Sequence, residues 1–275
     1  MKVGFIGLGH LGKTIAKRLI EQGVDLILWN RTKGKALELG MPVVESPKQL
    51  IELVDKVFLL VFDSHASENV IFGQEGLASG PVEGKTIIDM TTNHYAYASL
   101  AYEELRKLGA YYLDAPVLGS VIPAQKGELT LLVGGDRERF EENQHLFEKF
   151  CKNIFYVGDA GQASRLKLIN NIVLGGFMQV LAEAIGVGEL SGFDRELIIK
   201  VLESGAGRSY LLEVKKRKIL EKDYSTHFSV NLIHKDLHYA EDMVKEMGAF
   251  TLSLQNVKNA FALAKYVGMG EEDFS

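Results

Sequence analysis

The stretch KVGFIGLGHLG, residues 2–12, decides the fold. It begins as an apolar strand and continues into Gly7, Gly9 and Gly12, which have the spacing G-x-G-x-x-G. The next segment, LGKTIAKRLIEQG, has helical periodicity, so these glycines lie in a strand-to-helix turn. Gly7 allows the tight turn, Gly9 lets the backbone approach a pyrophosphate, and Gly12 allows close helix–strand packing. In this context the motif favours dinucleotide binding over a purely steric use of glycine. The expected contact residues are Gly7, Leu8, Gly9, His10, Leu11 and Gly12.

Beyond this turn, strand-like and helix-like segments alternate as far as about residue 160. Apolar runs such as DLILWN, KVFLLVF and KTIIDMT are typical of strands, and helical periodicity separates them. This alternation predicts a parallel sheet covered by helices on both faces. All five prolines lie in the first 123 residues, so the remainder can form long helices. The predicted fold class is therefore α/β. A Rossmann-type doubly wound sheet that binds NADP occupies residues 1–162, and an all-α domain for substrate binding and dimerisation occupies residues 163–275.

The composition is that of an ordinary globular protein. Of the 275 residues, 47% are hydrophobic and 24% are charged, and acids and bases are interspersed to a net charge of −5. No basic stripe points to nucleic acid, and no polybasic patch points to a membrane. Cys151 is the only cysteine, which excludes an intrachain disulfide and a cysteine-based zinc site. The N-terminus lacks a signal-peptide pattern, and the uncharged run after Asn171 is shorter than the roughly 20 residues that span a bilayer. We therefore expect a cytoplasmic protein.

The end of the second strand indicates which dinucleotide is bound. An NAD site usually places Asp or Glu there as an acceptor for the ribose 2′-hydroxyl. This chain instead has Asn30, Arg31 and Thr32. A guanidinium fork beside a hydroxyl suits a 2′-phosphate, although an ordinary solvated arginine would give the same pattern. We predict that the cofactor is NADP in preference to NAD, bound in part by these three residues.

The segment GQASRLKLINN, residues 161–171, places a lysine at the start of an apolar helix. Lys167 precedes Asn170 by three residues and Asn171 by four, so these side chains can share one helix face. A lysine near a helix end commonly extends its ammonium group to solvent. The alternative is an ammonium that donates to a substrate carbonyl and exchanges its proton during hydride transfer. The spacing alone does not decide between these two interpretations.

Four motifs span nearly the whole chain in the order of a known family. They are GFIGLGHLG at the N-terminus, DAPVLGS at 114–120, GDAGQASRLKLINN at 158–171 and HKDLHYA at 234–240. With these motifs the chain resembles the β-hydroxyacid dehydrogenase family, which includes 3-hydroxyisobutyrate dehydrogenases and the glyoxylate and succinic semialdehyde reductases. The segment GMGEEDFS at the end of the sequence is also similar to the family's ending.

The resemblance implies a role for residues in each motif. Lys167 would be the catalytic acid/base, and Asn171 would orient the substrate and the lysine. Lys235 would reach the cofactor near Phe228, whereas Asp236 would be structural. Further residues implied at the cofactor are Val61, Phe62 and Thr92, and those implied at the substrate are Val117, Leu118, Gly119, Ser120 and Asn170.

Two positions depart from the family's pattern. Leu118, Gly119 and Ser120 stand where the family has Ser-Gly-Gly, so the serine that binds a substrate carboxylate is missing. Backbone amides at Gly119 and Ser120 are the expected replacement for that contact. Ala163 takes the place of a family glycine and leaves the spacing between the lysine and the asparagine unchanged. These departures affect the prediction of the substrate and do not change the predicted reaction class.

The combined prediction is an NADP-dependent oxidoreductase. It would transfer hydride between nicotinamide and a small 3-hydroxy acid or the corresponding aldehyde or keto acid. One alternative is an imine reductase, a class that commonly lacks the lysine, and the other is a non-catalytic NADP-binding regulator of the same fold. His234 and His238 are four residues apart, but no third ligand is suggested nearby, so no metal site is expected. The apolar helix after Asn171 predicts a homodimer or homotetramer, without nucleic-acid or membrane partners.

Overall fold

A computed structural model describes residues 2–275, and contacts between residues divide the chain into two compact units. The first unit ends at Lys167, and the second covers Leu168–Ser275. The point of division lies within one long helix, Gln162–Leu190. The predicted domain boundary after residue 162 coincides with the start of this helix and stays a prediction.

The sheet described for the first unit has eight strands. They are β1 (Lys2–Ile6), β2 (Asp25–Trp29), β3 (Lys56–Leu59), β4 (Thr86–Asp89), β5 (Tyr111–Asp114), β6 (Val117–Leu118), β7 (Leu129–Gly135) and β8 (Cys151–Gly158). The order is β2-β1-β3-β4-β5-β7-β6, with β8 beside β7. The first five strands are parallel, as predicted, but β7 is antiparallel to β5 and β6. The strand β7 departs from the predicted parallel pattern, because the short connections around β6 return the chain without a full crossover.

Helices connect these strands. They are α1 (His10–Glu21), α2 (Lys33–Leu37), α3 (Pro47–Leu53), α4 (Ser64–Phe72), α5 (Tyr95–Lys107), α6 (Val121–Lys126) and α7 (Arg137–Phe147). Local chemistry explains where some of them begin. Ser46 Oγ accepts a hydrogen bond from the backbone N–H of Gln49 at the start of α3. Asp63 Oδ1 accepts one from the backbone N–H of Ala66 at the start of α4, at 2.8 Å.

Alternate residues of the central strands contribute to two different cores. On β3, Phe58 belongs to one buried cluster, whereas Val57 and Leu59 belong to the other. Successive side chains of a strand point to opposite faces of a sheet, so each face has its own apolar core. This arrangement confirms a doubly wound sheet whose two faces are both covered.

The second unit is helical. Its elements are the continuation of α8 (Gln162–Leu190), then α9 (Arg195–Ser204), α10 (Tyr210–Glu221), α11 (Val230–Glu246), α12 (Leu252–Ala264) and a π-helical turn at Lys265–Met269. Residues 168–275 are all described, and they contain no strand beyond an isolated bridge between Ser229 and Asp273. Leu181 and Ile185 of α8 pack with three residues of the neighbouring helices, Ile199, Leu212 and Ile219. The predicted all-α character is confirmed.

One helix in the described part of the chain is long and apolar enough to cross a membrane by length and composition. This helix is α8, with a mean hydropathy of 1.5 over its most apolar window, of which 33% is buried within the chain. The uncharged run after Asn171 is short, but the helix continues on both sides of it and therefore passes this test. A long core helix of a soluble protein passes it as well.

Candidate active site

The glycine turn between β1 and α1 has the geometry that its motif predicts. Gly7 has a φ of +94°, and a Cβ there would lie 2.0 Å from the carbonyl oxygen of Leu60. A Cβ on Gly12 would lie 2.0 Å from the carbonyl oxygen of Gly7. Gly9, by contrast, has no atom within 4 Å of its Cβ position, and no side chain caps the helix that follows it. These residues fit a pyrophosphate, because the turn is tight and the backbone amides at the start of α1 are approachable.

Asn30 links this turn to the end of β2. Its Oδ1 accepts a hydrogen bond from the backbone N–H of Leu8 at 2.8 Å, and its Nδ2 donates to the carbonyl oxygen of Thr32 at 2.9 Å. Asn30 therefore shapes the loop, while Arg31 and Thr32 are exposed at its tip. The other predicted residues of the turn are buried Leu8, half-buried Leu11 and exposed His10.

Thr91, the neighbour of the predicted residue Thr92, joins the loop after β3 to the loop after β4. The backbone N–H of Val61 donates to Thr91 Oγ1 at 3.0 Å, and Thr91 is fully buried. Thr92, the predicted residue, is half-buried, and Phe62 is 49% exposed. Thr91 therefore fixes the loops that carry Val61, Phe62 and Thr92.

Asp89 lies behind these loops and was missed in the sequence. It is the last residue of β4 and is fully buried. Its Oδ2 accepts from Ser67 Oγ at 2.5 Å, from Asn93 Nδ2 at 2.8 Å and from the Tyr112 hydroxyl at 3.1 Å. Burial raises the pKa of Asp89, although these hydrogen bonds act in the opposite direction. The available signal was a carboxylate that ends an apolar strand at the carboxyl edge of a parallel sheet.

The predicted substrate loop follows β5. Val117 is buried, Leu118 and Ser120 are half-buried, and Gly119 is exposed. Gly119 has a φ of +113°, and a Cβ there would lie 2.7 Å from the side chain of Leu129. The loop therefore requires glycine at this position, and its backbone at Gly119 is accessible to a ligand.

Three polar residues follow one another along one face of α8. Ser164, Lys167 and Asn171 have the spacing i, i+3 and i+7, which places them on the same side of a helix. All three are buried, with exposed fractions of 0%, 7% and 0%. A lysine that extends its ammonium group to solvent would be far more exposed. The burial of Lys167 therefore argues against a lysine that extends its ammonium group to solvent.

Asn171 is held by a buried carboxylate within the second unit. Its Nδ2 donates to Asp236 Oδ2 at 2.6 Å, and its Oδ1 accepts from Asn170 Nδ2 at 3.1 Å. A carboxylate can only accept, so this bond fixes which way the amide points. Lys235 Nζ lies 2.8 Å from Asp236 Oδ1, an ion pair whose angles fall outside hydrogen-bond geometry. Asp236 thus contacts both Asn171 and Lys235, a link that the sequence did not reveal.

Phe228 lies just before α11, where the end of the described chain fixes it. Its backbone N–H donates to Asp273 Oδ2 at 3.2 Å, and its ring meets Phe274 edge-on with 5.5 Å between centroids. His234 and His238 of α11 contact each other as rings, 4.5 Å apart. Among residues 2–275, no three His, Cys, Asp or Glu side chains are grouped so as to hold a metal ion.

Comparison with known proteins identifies the family. Residues 2–158 match the NAD binding domain of 6-phosphogluconate dehydrogenase, and residues 161–275 match the NAD-binding domain of NADP-dependent 3-hydroxyisobutyrate dehydrogenase. The chain is 30% identical to glyoxylate/succinic semialdehyde reductase 2, chloroplastic, of Arabidopsis thaliana, over 100% of this chain and 78% of that protein. It is 34% identical to 2-hydroxy-3-oxopropionate reductase of Escherichia coli (strain K12), over 93% of this chain and 87% of that protein.

A solved structure agrees with these relatives. Psf3 in complex with NADP+ and 2-OPP superimposes with a TM-score of 0.92 and 27% identity, over 99% of this chain and 97% of that one. The glycine turn, the two-part architecture and the relatives all indicate a nicotinamide-dependent oxidoreductase that acts on CH–OH groups. The chain belongs to the β-hydroxyacid dehydrogenase family.

Proposed function

We propose that the chain is an NADP-preferring reductase or dehydrogenase of a small aldehyde or hydroxy acid that bears a carboxylate, with Lys167 as the acid/base. One observation supports the role of Lys167 above the others. The lysine is 7% exposed and shares a helix face with the buried Asn171. A charge is seldom kept in a buried position without a specific use, and exchange of a proton with a substrate oxygen is the use that we propose.

When bound, the nicotinamide supplies or accepts the hydride at the substrate carbon. In the reductive direction Lys167 Nζ donates a proton to the carbonyl oxygen, which becomes the hydroxyl of the product. In the oxidative direction the neutral amine takes that proton back. The hydrogen bond to Asp236 keeps the side-chain amide of Asn171 in one orientation, on the face of α8 that also carries Lys167. Asn170, which donates to Asn171, belongs to the same set.

The substrate class follows from the loop at 117–120 and from the relatives. Leu118 takes the place of the family's serine, so the exposed backbone at Gly119 and the amide of Ser120 are the proposed donors to the carboxylate. The relatives are named for glyoxylate, succinic semialdehyde and 2-hydroxy-3-oxopropionate, which are all small carboxylates with an aldehyde group. Buried Val117 supports the loop from beneath.

The proposed cofactor residues come from several loops. Arg31 is exposed at the strand tip beside Thr32, in a place where its guanidinium group can meet a 2′-phosphate. The glycine turn holds the pyrophosphate, and the loops after β3 and β4 contact the remainder. The proposed contacts in the first unit are Gly7, Leu8, Gly9, His10, Leu11, Gly12, Asn30, Arg31, Thr32, Val61, Phe62 and Thr92. Phe228 and Lys235 are proposed as cofactor residues from the family resemblance alone.

We also propose that the protein is a cytoplasmic homo-oligomer. The outer face of α8 carries Val173, Phe177, Val180 and Val187, which are 51%, 49%, 64% and 63% exposed. Their spacing forms one apolar stripe, and a stripe of this size on a soluble protein marks an interface. A second copy of the chain is the proposed partner, because the same stripe on each copy can pack against itself around a two-fold axis.

Light scattering tests the assembly. The wild type should elute without detergent at the mass of a dimer or tetramer, and Val180→Glu should shift it towards the monomer. A wild-type monomer would contradict this part of the proposal. A protein recovered only with detergent would indicate instead that α8 meets a membrane.

The catalytic proposal is tested with the Lys167→Ala variant. We expect kcat for NADPH oxidation to fall by about 100- to 10,000-fold, the usual contribution of a general acid. The substrates are glyoxylate, succinic semialdehyde, 3-hydroxyisobutyrate, 3-hydroxypropionate and serine, in the appropriate direction with both cofactors. Lys152→Ala, which removes an exposed lysine of β8, is the matched control and should retain full activity.

Two outcomes would favour the alternatives. Reduction of a cyclic imine that survives in Lys167→Ala would indicate an imine reductase. Tight NADPH binding by the wild type without turnover of any substrate in the panel would indicate a non-catalytic regulator.

A further inference from the structure

The first turn of α8 is held by a carboxylate from the sheet of the first unit. Asp114 is the last residue of β5 and is fully buried. Its Oδ2 accepts hydrogen bonds from the backbone N–H groups of Gly161 at 3.0 Å and Ser164 at 2.9 Å. Its Oδ1 accepts from the hydroxyl of Ser164 at 2.7 Å. A single side chain thus makes three hydrogen bonds to the turn that precedes Lys167.

The helix has no cap of its own at this end. Gly161 stands before Gln162, the first helical residue, and has no side chain that could accept from the free amides of the first turn. A negative charge is favourable at a helix N-terminus, where the free N–H groups point outward. Asp114 therefore serves as the cap from a distance of 50 residues along the sequence.

A second set of contacts locates the same turn against α5. Gly161 has a φ of +89°, and a Cβ there would lie 2.4 Å from Ser99 Oγ. Ser99 Oγ donates to the carbonyl oxygen of Ala160 at 3.1 Å, and the Arg165 guanidinium lies 3.9 Å from the ring centroid of Tyr95. Together with these contacts to α5, the hydrogen bonds to Asp114 fix the rotation and the axial position of the first turn.

Lys167 follows Ser164 by three residues, so the two side chains lie one turn apart on the same helix face. A rotation of the first turn therefore moves the ammonium group of the lysine. Asp114 also stands three residues before Val117, at the start of the proposed substrate loop. One carboxylate thus connects the strand that leads into that loop with the helix that carries the proposed acid/base.

We propose that Asp114 is a positioning residue for the oxidoreductase reaction: by holding the first turn of α8 to the end of β5, it sets the place of Lys167 relative to the loop at 117–120. The proposal rests on the proposed function, because it assumes that Lys167 exchanges the proton. Misplacement of a reacting group by about 1 Å costs up to about 100-fold in rate, so this anchoring matters for turnover.

The surroundings of Asp114 agree with a role at a site. Burial raises its pKa to about 6 in spite of the hydrogen bonds from Ser164, and the charge of Asp89 acts in the same direction as burial. Asp89 is its partner in the register of β4 and β5. A carboxylate that is kept where its charge is unfavourable is more typical of functional sites than of ordinary cores.

The test uses the full chain with NADPH and glyoxylate. Asp114→Asn keeps one acceptor oxygen, replaces the other with an NH2 group that cannot accept, and removes the charge at the helix N-terminus. We expect kcat to fall by about 10- to 100-fold while the KM for NADPH changes little. Ser164→Ala removes one of the three hydrogen bonds and should lower kcat less. Asp194→Asn is the matched control, because Asp194 caps α9 by accepting from the N–H groups of Glu196 and Leu197. It should lower thermal stability only slightly, because Asn accepts at an N-cap about as well as Asp but without the favourable charge, and it should leave kcat unchanged.

The Lys167→Ala background separates positioning from a general structural role. If Asp114 acts through the lysine, Asp114→Asn should leave the residual single-turnover rate of Lys167→Ala unchanged. A further loss by the same factor as in the wild-type background would overturn the proposal. A folded Asp114→Asn variant with wild-type kcat would also overturn it. If Asp114→Asn fails to fold, Ser164→Ala decides the matter by the same criteria.

The failure of this inference can be told from the failure of the proposed function. Full activity in Lys167→Ala would remove the proposed function and this inference together. A disabled Lys167→Ala combined with normal kcat in Asp114→Asn and Ser164→Ala would remove the positioning role alone.

Discussion

The starts of α1 and α8 are two helix N-termini with opposite arrangements. At α1, Gly9 precedes the helix, no side chain caps it, and its first turn contains no acidic residue. At α8, the amides of the first turn donate to the buried carboxylate of Asp114. The same unsatisfied N–H groups are left open in one place and occupied in the other.

The difference shows how one chemical feature serves two purposes. An open helix N-terminus is an anion site, which suits a pyrophosphate that arrives and leaves. An occupied helix N-terminus is an anchor, which suits the role that we propose for α8, to hold Lys167 in one place. If this comparison is right, adding a side-chain carboxylate at the N-terminus of α1 should abolish cofactor binding. Removing the carboxylate of Asp114 from the N-terminus of α8 should impair catalysis.

The largest effect is expected when the open terminus is filled. Gly9→Asp adds a carboxylate where the backbone has ordinary extended angles and no atom lies within 4 Å, so the fold should tolerate it. The new charge caps α1 and repels the pyrophosphate, and we expect the Kd for NADPH to rise by about 1,000-fold. Fluorescence titration with NADPH measures this change.

Gly9→Asn is the control for charge. It caps the helix equally well without a negative charge, so its Kd should rise by much less than that of the aspartate variant. Equal affinity of Gly9→Asp and wild type would show that the pyrophosphate does not lie at this terminus.

Asp114, which occupies the N-terminus of α8, should make the free energy of unfolding depend on pH. Burial raises the pKa of Asp114 from 3.8 to about 6, so the folded state holds this proton more tightly than the unfolded state does. The resulting stabilisation is complete below pH 3.8 and is lost as the pH rises through 6, a change of about 3 kcal/mol. Urea unfolding of wild type and Asp114→Asn at pH 4.5 and pH 7.5 should detect about 2 kcal/mol of this change, because part of the stabilisation is already lost at pH 4.5.

The direction in which the relative stability changes with pH distinguishes a raised pKa of Asp114 from a lowered one. The stability of the wild type relative to Asp114→Asn should be greater at pH 4.5 than at pH 7.5. A relative stability that increases with pH would mean that the hydrogen bonds from α8 outweigh burial and depress the pKa of Asp114.

A smaller effect is expected at the adenosine end of the cofactor. Arg31→Ala removes a charged donor from the exposed tip after β2, and kcat/KM with NADPH should fall by about 10-fold. The value with NADH should change little, because NADH has no 2′-phosphate. A wild-type preference for NADH that persists in Arg31→Ala would show that the open terminus of α1 accepts NAD instead.

The open terminus could be predicted from the sequence, because every part of it is local. Gly7, Gly9 and Gly12 lie within six residues, and the apolar strand and periodic helix adjoin them directly. The parallel strands and the change to helices near residue 162 follow from periodicity in the same way. The helices α2, α4 and α6 are short and weakly periodic, and they were missed. The Asp63 cap at the start of α4 and the left-handed Gly127 at the end of α6 were the local signals for them.

The occupied terminus could not be predicted, because its partners are distant in sequence. Asp114 meets Ser164 across 50 residues, and Asp236 meets Asn171 across 65. Such pairs depend on tertiary packing, and no local propensity encodes them. For the same reason the spacing of Lys167 and Asn171 left two interpretations open, and the burial of the lysine was needed to argue against the solvent-extended one.

The most direct test of the account is a single-turnover measurement of NADPH oxidation in wild type and Lys167→Ala, with glyoxylate saturating and NADPH bound beforehand. The account predicts that the rate in the variant falls by at least about 100-fold while the Kd for NADPH stays within a factor of about three of the wild-type value. A variant that binds NADPH normally and oxidises it at the wild-type rate would contradict it.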